Sequence, residues 1–565
     1  MNEVFTSIAK KSDEHEFYTP VPDGYKPGKT KYVVVFGTVM SGLGKGIFSS
    51  ALAKLMQDGG LVVAPVKFDG YLNVDAGTLN PYRHGEVFVL DDGTESDMDL
   101  GTYERFLDCP LSKENYLTGG KLFSMILNRE RKGKYLGRDV QFIPHVTGEI
   151  KRFMRELAML RNADLVFIEV GGTAGDIENA YFIEAMRELA YEEGPGNVCN
   201  VALTYLLEPQ FLGEQKSKAA QLGIKALLGM GIQPHIIACR STNPATEKVR
   251  EKISVFSNVP MERVVGVHDM DSVYLIPDLL EQAGLHRRVA EFLGFTVKDN
   301  PIARAQWHEF MASLLHPKKK ITIGMTGKYT GLRDSYASIL KSLEHAGVAS
   351  GCSVNIKWIE TTAIKDDQAA AEALKDVDGI IVPGGFGKRG SEGKIACIQY
   401  AREHNIPYLG LCFGFQMAVL EYARHVCGIS KAGSTELDTD CEPVIDILPE
   451  QKKIEGLGGN MRLGGRDVEI KSGTKAHAIY GASHVRERFR HRYEVNPDYI
   501  AQLEKAGMVF SGKHPEHPIM QILELPKHPF FVGVQFHPEF TSRPLRPNPL
   551  YKAFVAAASS PDRRA

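Results

Sequence analysis

The feature that most constrains this chain is an alternation of short β-branched runs with glycine loops and helical patterns. Residues 32–36 (YVVVF) stop at a glycine-rich loop, residues 37–46, which leads into a helical pattern over 47–56 and then a second apolar run over 61–68. A strand, a helix and a second strand in that order make a βαβ unit, and its right-handed crossover implies a parallel sheet. Residues 164–170 and 235–239 are further buried-strand candidates. Pro301 opens a helix (AQWHEFMASLL), Pro317 follows it, and Lys318, Lys319 and Lys320 precede a new strand. A second α/β series follows, with strands near 321–325, 354–359, 379–382 and 407–411 and a strand-rich end to residue 540. The expected fold class is α/β, with two doubly wound parallel-sheet domains. The expected boundaries are an N-terminal extension over 1–30, a first domain over 31–296, a linker over 297–320, a second domain over 321–556 and a tail over 557–565.

At 565 residues the chain is too long for one domain, and 67 Lys+Arg against 69 Asp+Glu make it too balanced for a polyelectrolyte. No nucleic-acid partner is expected, because bulk binding to phosphates relies on clustered basic residues. No apolar run approaches the ~20 residues that span a bilayer, and the N-terminus lacks the apolar core of a signal peptide. The expectation is a cytoplasmic protein without a membrane partner. Eight cysteines without a CxxC pair read as reduced thiols.

The loop over 37–46 (GTVMSGLGKG) lies between a strand and a helix, where backbone N–H groups and a helix N-terminus cradle phosphate oxygens. Lys45 adds a point charge. Gly46 stands where a standard phosphate loop carries the Ser or Thr that holds Mg2+, so a carboxylate must take that role. The candidates are the acidic segment 91–99 (DDGTESDMD) and Glu169, which ends its strand just before a second loop over 171–176 (GGTAGD). Lys67 also stands at a strand end.

In the second half, Gly410-Leu-Cys412-Phe-Gly414 follows a strand and leads into a helical pattern. Small residues two before and two after a cysteine fit a nucleophile elbow, which exposes the thiol at a helix N-terminus. His537-Pro538-Glu539 offers the base and its orienting carboxylate, read as residues i and i+2 of an extended segment. The run 383–387 (PGGFG) offers the N–H of Gly385, which can join that of Phe413 in an oxyanion hole.

The motifs GTVMSGLGKG, KFDGYLNVDAGTLNP, HGEVFVLDDGTESDMDLGTYERF, VQFIPH, EVGGTAGDIE, PGGFGKRG, GLCFGFQ, MRLGG, RHRYEV and QFHPEFTSRP stand in one order along the chain. In that order the chain resembles the CTP synthase family from Lys31 to Phe554. The resemblance implies a P-loop-like amidoligase domain joined to a class I glutaminase, in which ATP phosphorylates the uracil O4 of UTP and ammonia from glutamine displaces the phosphate. It implies that Ser41 contacts the pyrimidine nucleotide, that Gly42, Leu43, Gly44, Lys45, Gly46 and Ile47 hold ATP, and that Lys45 and Lys67 serve the transfer step. Asp99 and Glu169 are the implied Mg2+ ligands, and His268, Asp269 and Met270 border the adenine. Asp176, Ile177, Glu178, Lys216, Ser217, Lys218, Ala219, Ala220, Gln221 and Lys252 are the implied contacts to UTP, or to CTP acting as feedback inhibitor. In the glutaminase half the resemblance implies a glutamyl thioester on Cys412, activated by His537 and Glu539. Gly385, Phe413, Gly414, Phe415, Gln416, Glu436 and Arg492 are the implied glutamine contacts. GTP is the family's activator, with Lys328, Arg389 and Arg462 as matching residues, and a homotetramer that forms filaments is the implied assembly.

The sequence departs from the family in places. Where the family reads KTKPTQ, this chain has Ala219 and Ala220; Gly42 and Phe413 replace the usual Ser and Leu, and His268 stands where bacterial members often have Lys. Two other readings compete: a different glutamine-dependent amidoligase, such as one acting on a corrinoid carboxylate, and a catalytically silent assembly protein. The run HGEVFVLDDGTESDMDLG with RHRYEV favours the UTP enzyme over the first, and the complete set of reactive side chains weighs against the second.

Overall fold

The computed structural model describes residues 20–135, 138–209, 211, 213–328, 331–447 and 461–560. Parts of the expected N-terminal extension (1–19) and tail (561–565), and residues 456–460 of the glycine-rich run 456–465 that ends in MRLGG, lie outside the described residues. The chain divides into two compact units, Met1–Thr78 with Thr102–Ala305, and Leu79–Gly101 with Gln306–Ala565. No helix among the described residues is long and apolar enough to cross a membrane. All eight cysteines are free thiols.

The first unit is built on seven parallel strands. Across the sheet they run Tyr116–Thr118, Val63–Asp69, Leu165–Val170, Lys31–Gly37, Val198–Tyr205, Ile236–Ser241 and Val264–His268. Their near-continuous apolar sequences suit strands covered on both faces. Alternate residues do the covering: Tyr32, Val34 and Phe36 enter one core with residues such as Ile150 and Phe182, while helix Lys45–Asp58 packs on the sheet with helix Ile276–Gln282 beside it. The chain leaves Lys31–Gly37 toward one edge and leaves Val198–Tyr205 toward the other. Between those neighbours lies the switch point where α/β sheets leave a crevice at the carboxyl ends of their strands.

Residues 20–30 do not trail away from this unit. The Tyr25 hydroxyl bonds those of Tyr32 (2.7 Å) and the Glu193 carboxylate (2.9 Å), Gly28 N–H donates to the same carboxylate (2.9 Å), and the Arg155 guanidinium lies over the Tyr25 ring.

The second unit has a nine-stranded sheet. Five parallel strands, Cys352–Glu360, Lys319–Gly327, Gly379–Val382, Tyr408–Leu411 and Phe531–Val534, continue into four antiparallel ones, Met520–Glu524, Val509–Lys513, Arg462–Ile470 and His484–His491. The strand-rich end of the chain thus extends the parallel core instead of forming a separate layer. Ile380 and Val382 enter one core, and Ile381, between them, enters the core on the opposite face, the period-2 signature of a sheet buried on both sides.

Segment Leu79–Gly101 lies in the sequence stretch assigned to the first domain and clusters with this second unit. It contains an antiparallel hairpin, Val87–Val89 with Glu95–Asp97. Strand His484–His491 holds it through three arginines: Arg486 pairs with Asp91 (2.9 Å), Arg488 donates to the Val89 carbonyl (3.1 Å) and Arg490 pairs with Glu95 (2.7 Å). The Glu86 carboxylate also accepts from Ser338 N–H. The glycines of MRLGG acquire a purpose here. Gly465 N–H donates to the Asp91 carbonyl (2.8 Å), and a Cβ on Gly464, at φ 79°, would fall 2.5 Å from Gly93 N.

Candidate active sites

In the first unit the loop over 37–46 needs its glycines for two reasons. Gly42 and Gly44 take φ of 71° and 78°, where a Cβ is strained. Gly37 leaves room for the Lys45 side chain, whose Nζ would lie 2.8 Å from a Cβ there. Lys45 opens helix Lys45–Asp58 and donates from Nζ to the Gly172 carbonyl (2.7 Å), tying the first glycine loop to the second. Lys67 and Glu169 are direct register partners on neighbouring strands, with Nζ 3.6 Å from Oε1. Glu169 is 2% exposed, and the Tyr103 hydroxyl reaches its Oε2 at 3.4 Å. A buried carboxylate beside a lysine at a strand end is a fit for a hard cation on a phosphate chain. Asp99, its expected co-ligand, belongs to the second unit and opens helix Met98–Leu107, with its N–H on Asp97 Oδ1 (2.9 Å). Of the other acids in 91–99, Asp91 and Glu95 are neutralised by arginine within their own unit.

The other segments expected to face nucleotide follow strand ends of the same sheet. Asp176 accepts from Thr173 N–H (2.9 Å) and so shapes the second loop, leaving Ile177 and Glu178 exposed and Ile177 81% so. Lys216, Ser217 and Lys218 lead into helix Lys218–Gly229, in which Gln221 bonds Ser217 Oγ (3.3 Å). A Cβ on Gly223 of that helix would collide with Thr38 at the base of the phosphate loop (2.7 Å). Lys216 and Lys252 are brought together around Glu214, whose carboxyl is held below its usual range by its bond to Lys216, with Lys248 and Lys252 adding their charge. Ala220 is fully buried, while Ala219 is half-buried on the first turn. Arg240, which carries no motif, joins the two segments expected to face ATP: it donates to the Leu43 carbonyl (3.2 Å) and the Val267 carbonyl (2.9 Å) and pairs with Asp269 (2.7 Å). Sequence reading missed it because its role exists only once three strand ends are side by side.

In the second unit Cys412 has φ 49° and ψ −98°, a strained turn directly before helix Phe413–His425. Strain of this kind persists only where the surroundings enforce it. Cys412 N–H donates to the Val534 carbonyl (2.7 Å). A Cβ on Gly410 would lie 2.2 Å from the Tyr408 hydroxyl, and one on Gly414 2.1 Å from the Val382 carbonyl. Both flanking glycines are therefore obligatory, as an elbow demands. Phe413 is the first helical residue, so its N–H has no intrahelical acceptor.

His537 Nδ1 bonds Glu539 Oε1 at 2.7 Å, and among the described residues His537 Nε2 is buried without a hydrogen-bond partner. The contact differs in one respect from the sequence expectation. Pro538–Phe540 is a 3-10 turn, not an extended segment, because Pro538 presets the helical φ, and the tight turn folds Glu539 back onto the ring. Burial would push the imidazole pKa down; Glu539 and the Cys412 sulfur outweigh it and push it up to about 10. A Cβ on Gly384 would lie 3.0 Å from His537 Cε1 and 3.7 Å from Cys412 Cβ, so base, thiol and the 383–387 loop meet at one point. They line a cavity of about 140 Å3 together with Gly385, Glu86 and Arg490.

The other residues expected to contact glutamine belong to the same unit. Glu436 accepts from Gly387 N–H (2.7 Å); burial raises its carboxyl pKa, opposed by that bond and by the charges of Lys328 and Arg492. Gln416 donates to the Tyr493 carbonyl (2.9 Å) and to Gln535 (3.3 Å), while its own Oε1 is a buried acceptor with no partner among the described residues. Phe415 is fully buried in the core. Gln535, whose Nε2 lies 3.7 Å from Cys412 Sγ, opens the QFHPEFTSRP run, but nothing within that run marks it as a neighbour of the thiol. Of the three residues matched to GTP, Lys328 and Arg389 come together, with Arg389 Nη2 on the Lys328 carbonyl (3.0 Å). Arg462 is committed instead to the buried carboxylate of Glu494 (3.0 Å).

Comparison with known proteins matches residues 31–295 to the sequence family described as CTP synthase N-terminus and residues 332–557 to glutamine amidotransferase class-I. The CTP synthase of Thermococcus gammatolerans is 49% identical over 531 residues, covering 94% of this chain and 98% of that protein. The CTP synthase of Staphylococcus carnosus is 48% identical over 532 residues with the same coverage. Among solved structures, the glutaminase domain of Trypanosoma brucei CTPS with bound acivicin is 39% identical, with a TM-score of 0.40, covering 42% of this chain and 94% of that one. With two matched families in this order and close to half of all residues shared along almost its whole length, the chain belongs to the CTP synthase family.

Proposed function

We propose that this enzyme makes CTP by joining two reactions: glutamine hydrolysis at Cys412 releases ammonia, and ATP-dependent amination of UTP in the first unit consumes it. The observation that carries the reading is the strained Cys412 elbow facing His537, itself held by Glu539 at 2.7 Å. The Cys412 sulfur attacks the carboxamide carbon of glutamine, and the carbonyl electron pair moves onto oxygen. The N–H groups of Gly385 and Phe413 receive that oxyanion. On collapse the C–N bond breaks and His537 gives its proton to the leaving ammonia, leaving a glutamyl thioester for water to hydrolyse. Glu436 and Arg492 supply the opposite charges that an amino acid's ammonium and carboxylate require, and the unpartnered Gln416 Oε1 offers an acceptor to the substrate.

In the first unit, Gly42 to Ile47 hold ATP, with His268, Asp269 and Met270 at its base; Arg240 supports this by linking Leu43 to Asp269. Lys45 and Lys67 assist phosphoryl transfer to the uracil O4. Glu169 is the carboxylate of this unit that would hold Mg2+, with Asp99 the second acid that the family resemblance matches; the ion would supply charge neutralisation on the phosphates. Ser41, Asp176, Ile177 and Glu178, with Lys216, Ser217, Lys218, Ala219, Ala220, Gln221 and Lys252, contact UTP or inhibitory CTP. GTP activates through Lys328 and Arg389, with Arg462 the third matched residue. Exposed Phe142, Ile143 and Ile177, apolar side chains on one unit, favour self-association into a homotetramer and, from it, filaments. The cytoplasm is the proposed compartment.

The test is one assay: purified protein with UTP, ATP and Mg2+, followed for CTP with glutamine or ammonium, with and without GTP. CTP from both nitrogen sources, with GTP accelerating only the glutamine reaction, is expected. Absence of CTP with ammonium would sink the assignment of the first unit.

A further inference from the structure

Lys394 is 2% exposed on helix Ser391–Glu403, directly behind the thiol cavity. Its Nζ donates to the Pro383 carbonyl at 3.2 Å and lies 5.0 Å from the centre of the Phe413 ring. A Cβ on Gly385 would be 3.9 Å from the same nitrogen. The two N–H groups assigned to the oxyanion, those of Gly385 and Phe413, belong to different segments of the chain, one after strand Gly379–Val382 and one after strand Tyr408–Leu411. Lys394 touches both segments. Among the described residues no carboxylate pairs with it.

We propose that Lys394 is a positioning residue for glutamine hydrolysis: its buried ammonium braces the Pro383–Gly385 turn against the start of the Phe413 helix and holds both oxyanion N–H groups in register. An unpaired ammonium inside a protein is costly, and an apolar side chain of the same length would pack there at lower cost, so packing alone does not account for it. What does account for it is charge that the reaction supplies, since negative charge lies on sulfur before attack and on the carboxamide oxygen after it. The electrostatic surroundings agree. Burial pushes the Lys394 pKa down to about 7; the Lys328 charge adds to the fall, and the Cys412 and Cys397 sulfurs oppose it. A group so balanced gains its proton most readily when the site beside it is negative. The inference rests on the assignment of Cys412 as nucleophile.

The experiment compares Lys394→Met, Lys394→Arg and Cys412→Ala in the full-length enzyme. In Lys394→Met, kcat for glutamine hydrolysis is expected to fall about tenfold or more while KM stays within about twofold, a loss confined to the transition state. Alkylation of Cys412 by iodoacetamide at pH 7 should slow in parallel, and Lys394→Arg, which keeps the charge, should recover part of kcat. A kcat within about twofold of the parent, or a raised KM with unchanged kcat, overturns the inference. A thermal unfolding midpoint checks the fold, and if Lys394→Met does not fold, Lys394→Gln is read by the same criteria. Residual glutaminase activity in Cys412→Ala would instead overturn the site assignment; a dead Cys412→Ala beside a fully active Lys394→Met removes only the role of Lys394.

Discussion

Both units carry a glycine-bracketed turn between a strand and a helix, and the two turns are built by opposite means. At Gly410–Gly414 the glycines are needed for space, because each would drive a Cβ into a neighbouring atom little more than 2 Å away, and the strained residue is the cysteine between them. At 37–46 the glycines are needed mostly for φ: Gly42 takes 71° with nothing within 4 Å of a hypothetical Cβ. A nucleophile must be held rigidly at one point, whereas a phosphate chain is bound by many N–H groups that settle around it. The elbow is complete within a few residues of sequence plus HPE. The phosphate site draws on the ends of several strands and needs Arg240 and Tyr103 to join them.

The largest expected effect separates the two sites outright. Cys412→Ala should abolish glutamine-dependent CTP formation and leave ammonia-dependent formation intact; loss of both would show that the two turns do not serve separate reactions. Next comes the contrast between glycines. Gly414→Ala should cost about 3 kcal/mol, the upper end for overpacking, and most glutaminase activity, because the Val382 carbonyl cannot withdraw from a buried strand. Gly42→Ala, strained in φ but free of collisions, should cost about 1 to 2 kcal/mol. Thermal unfolding and the two half-reactions read both, and equal losses would erase the distinction.

Glu539→Gln sharpens the elbow side. The His537 pKa is raised to about 10, so the stabilising imidazolium is fully present below its ordinary value near 6.5 and is lost as pH rises through about 10. Without the Glu539 charge, the alkaline limb of glutaminase kcat/KM should move down by about 1 to 3 pH units. An unmoved limb would mean that Glu539 only packs against the ring. The smallest effect belongs to the nucleotide side. Ala219→Pro with Ala220→Thr should alter the UTP KM or CTP inhibition; proline is tolerated at residue 219 in the first turn of helix Lys218–Gly229, while Thr at the fully buried residue 220 should cost about 1 kcal/mol, the low end for overpacking. Unchanged values for both would remove this loop from control of the pocket.

The Cys412 turn and the His537–Glu539 contact were legible in sequence because they are local: the Gly-x-Cys-x-Gly spacing encodes the collision geometry, and HPE encodes the partner of the imidazole. The form of the HPE turn was not, since a proline in a short polar motif is compatible with both an extended and a 3-10 path. Gln535, Lys394 and Arg240 were illegible for another reason. Their contacts join separate segments (Arg240 to Leu43, Gln535 to Cys412, Lys394 to Phe413), which no spacing within a motif shows, even for Gln535 at the head of QFHPEFTSRP.

The acidic run 91–99 shows where sequence ends. Read alone, its carboxylates are equivalent candidates for a metal. Folded, Asp91 and Glu95 belong to Arg486 and Arg490, nearly 400 residues away along the chain, as part of a hairpin that clusters with the second unit. By itself the sequence determined the alternating α/β order, the two glycine turns and the reactive side chains on them, because those follow from local periodicity and local sterics. Only the tertiary structure decided which charges are already neutralised and which strand ends share a crevice, because pairing and burial depend on neighbours that the linear order does not name.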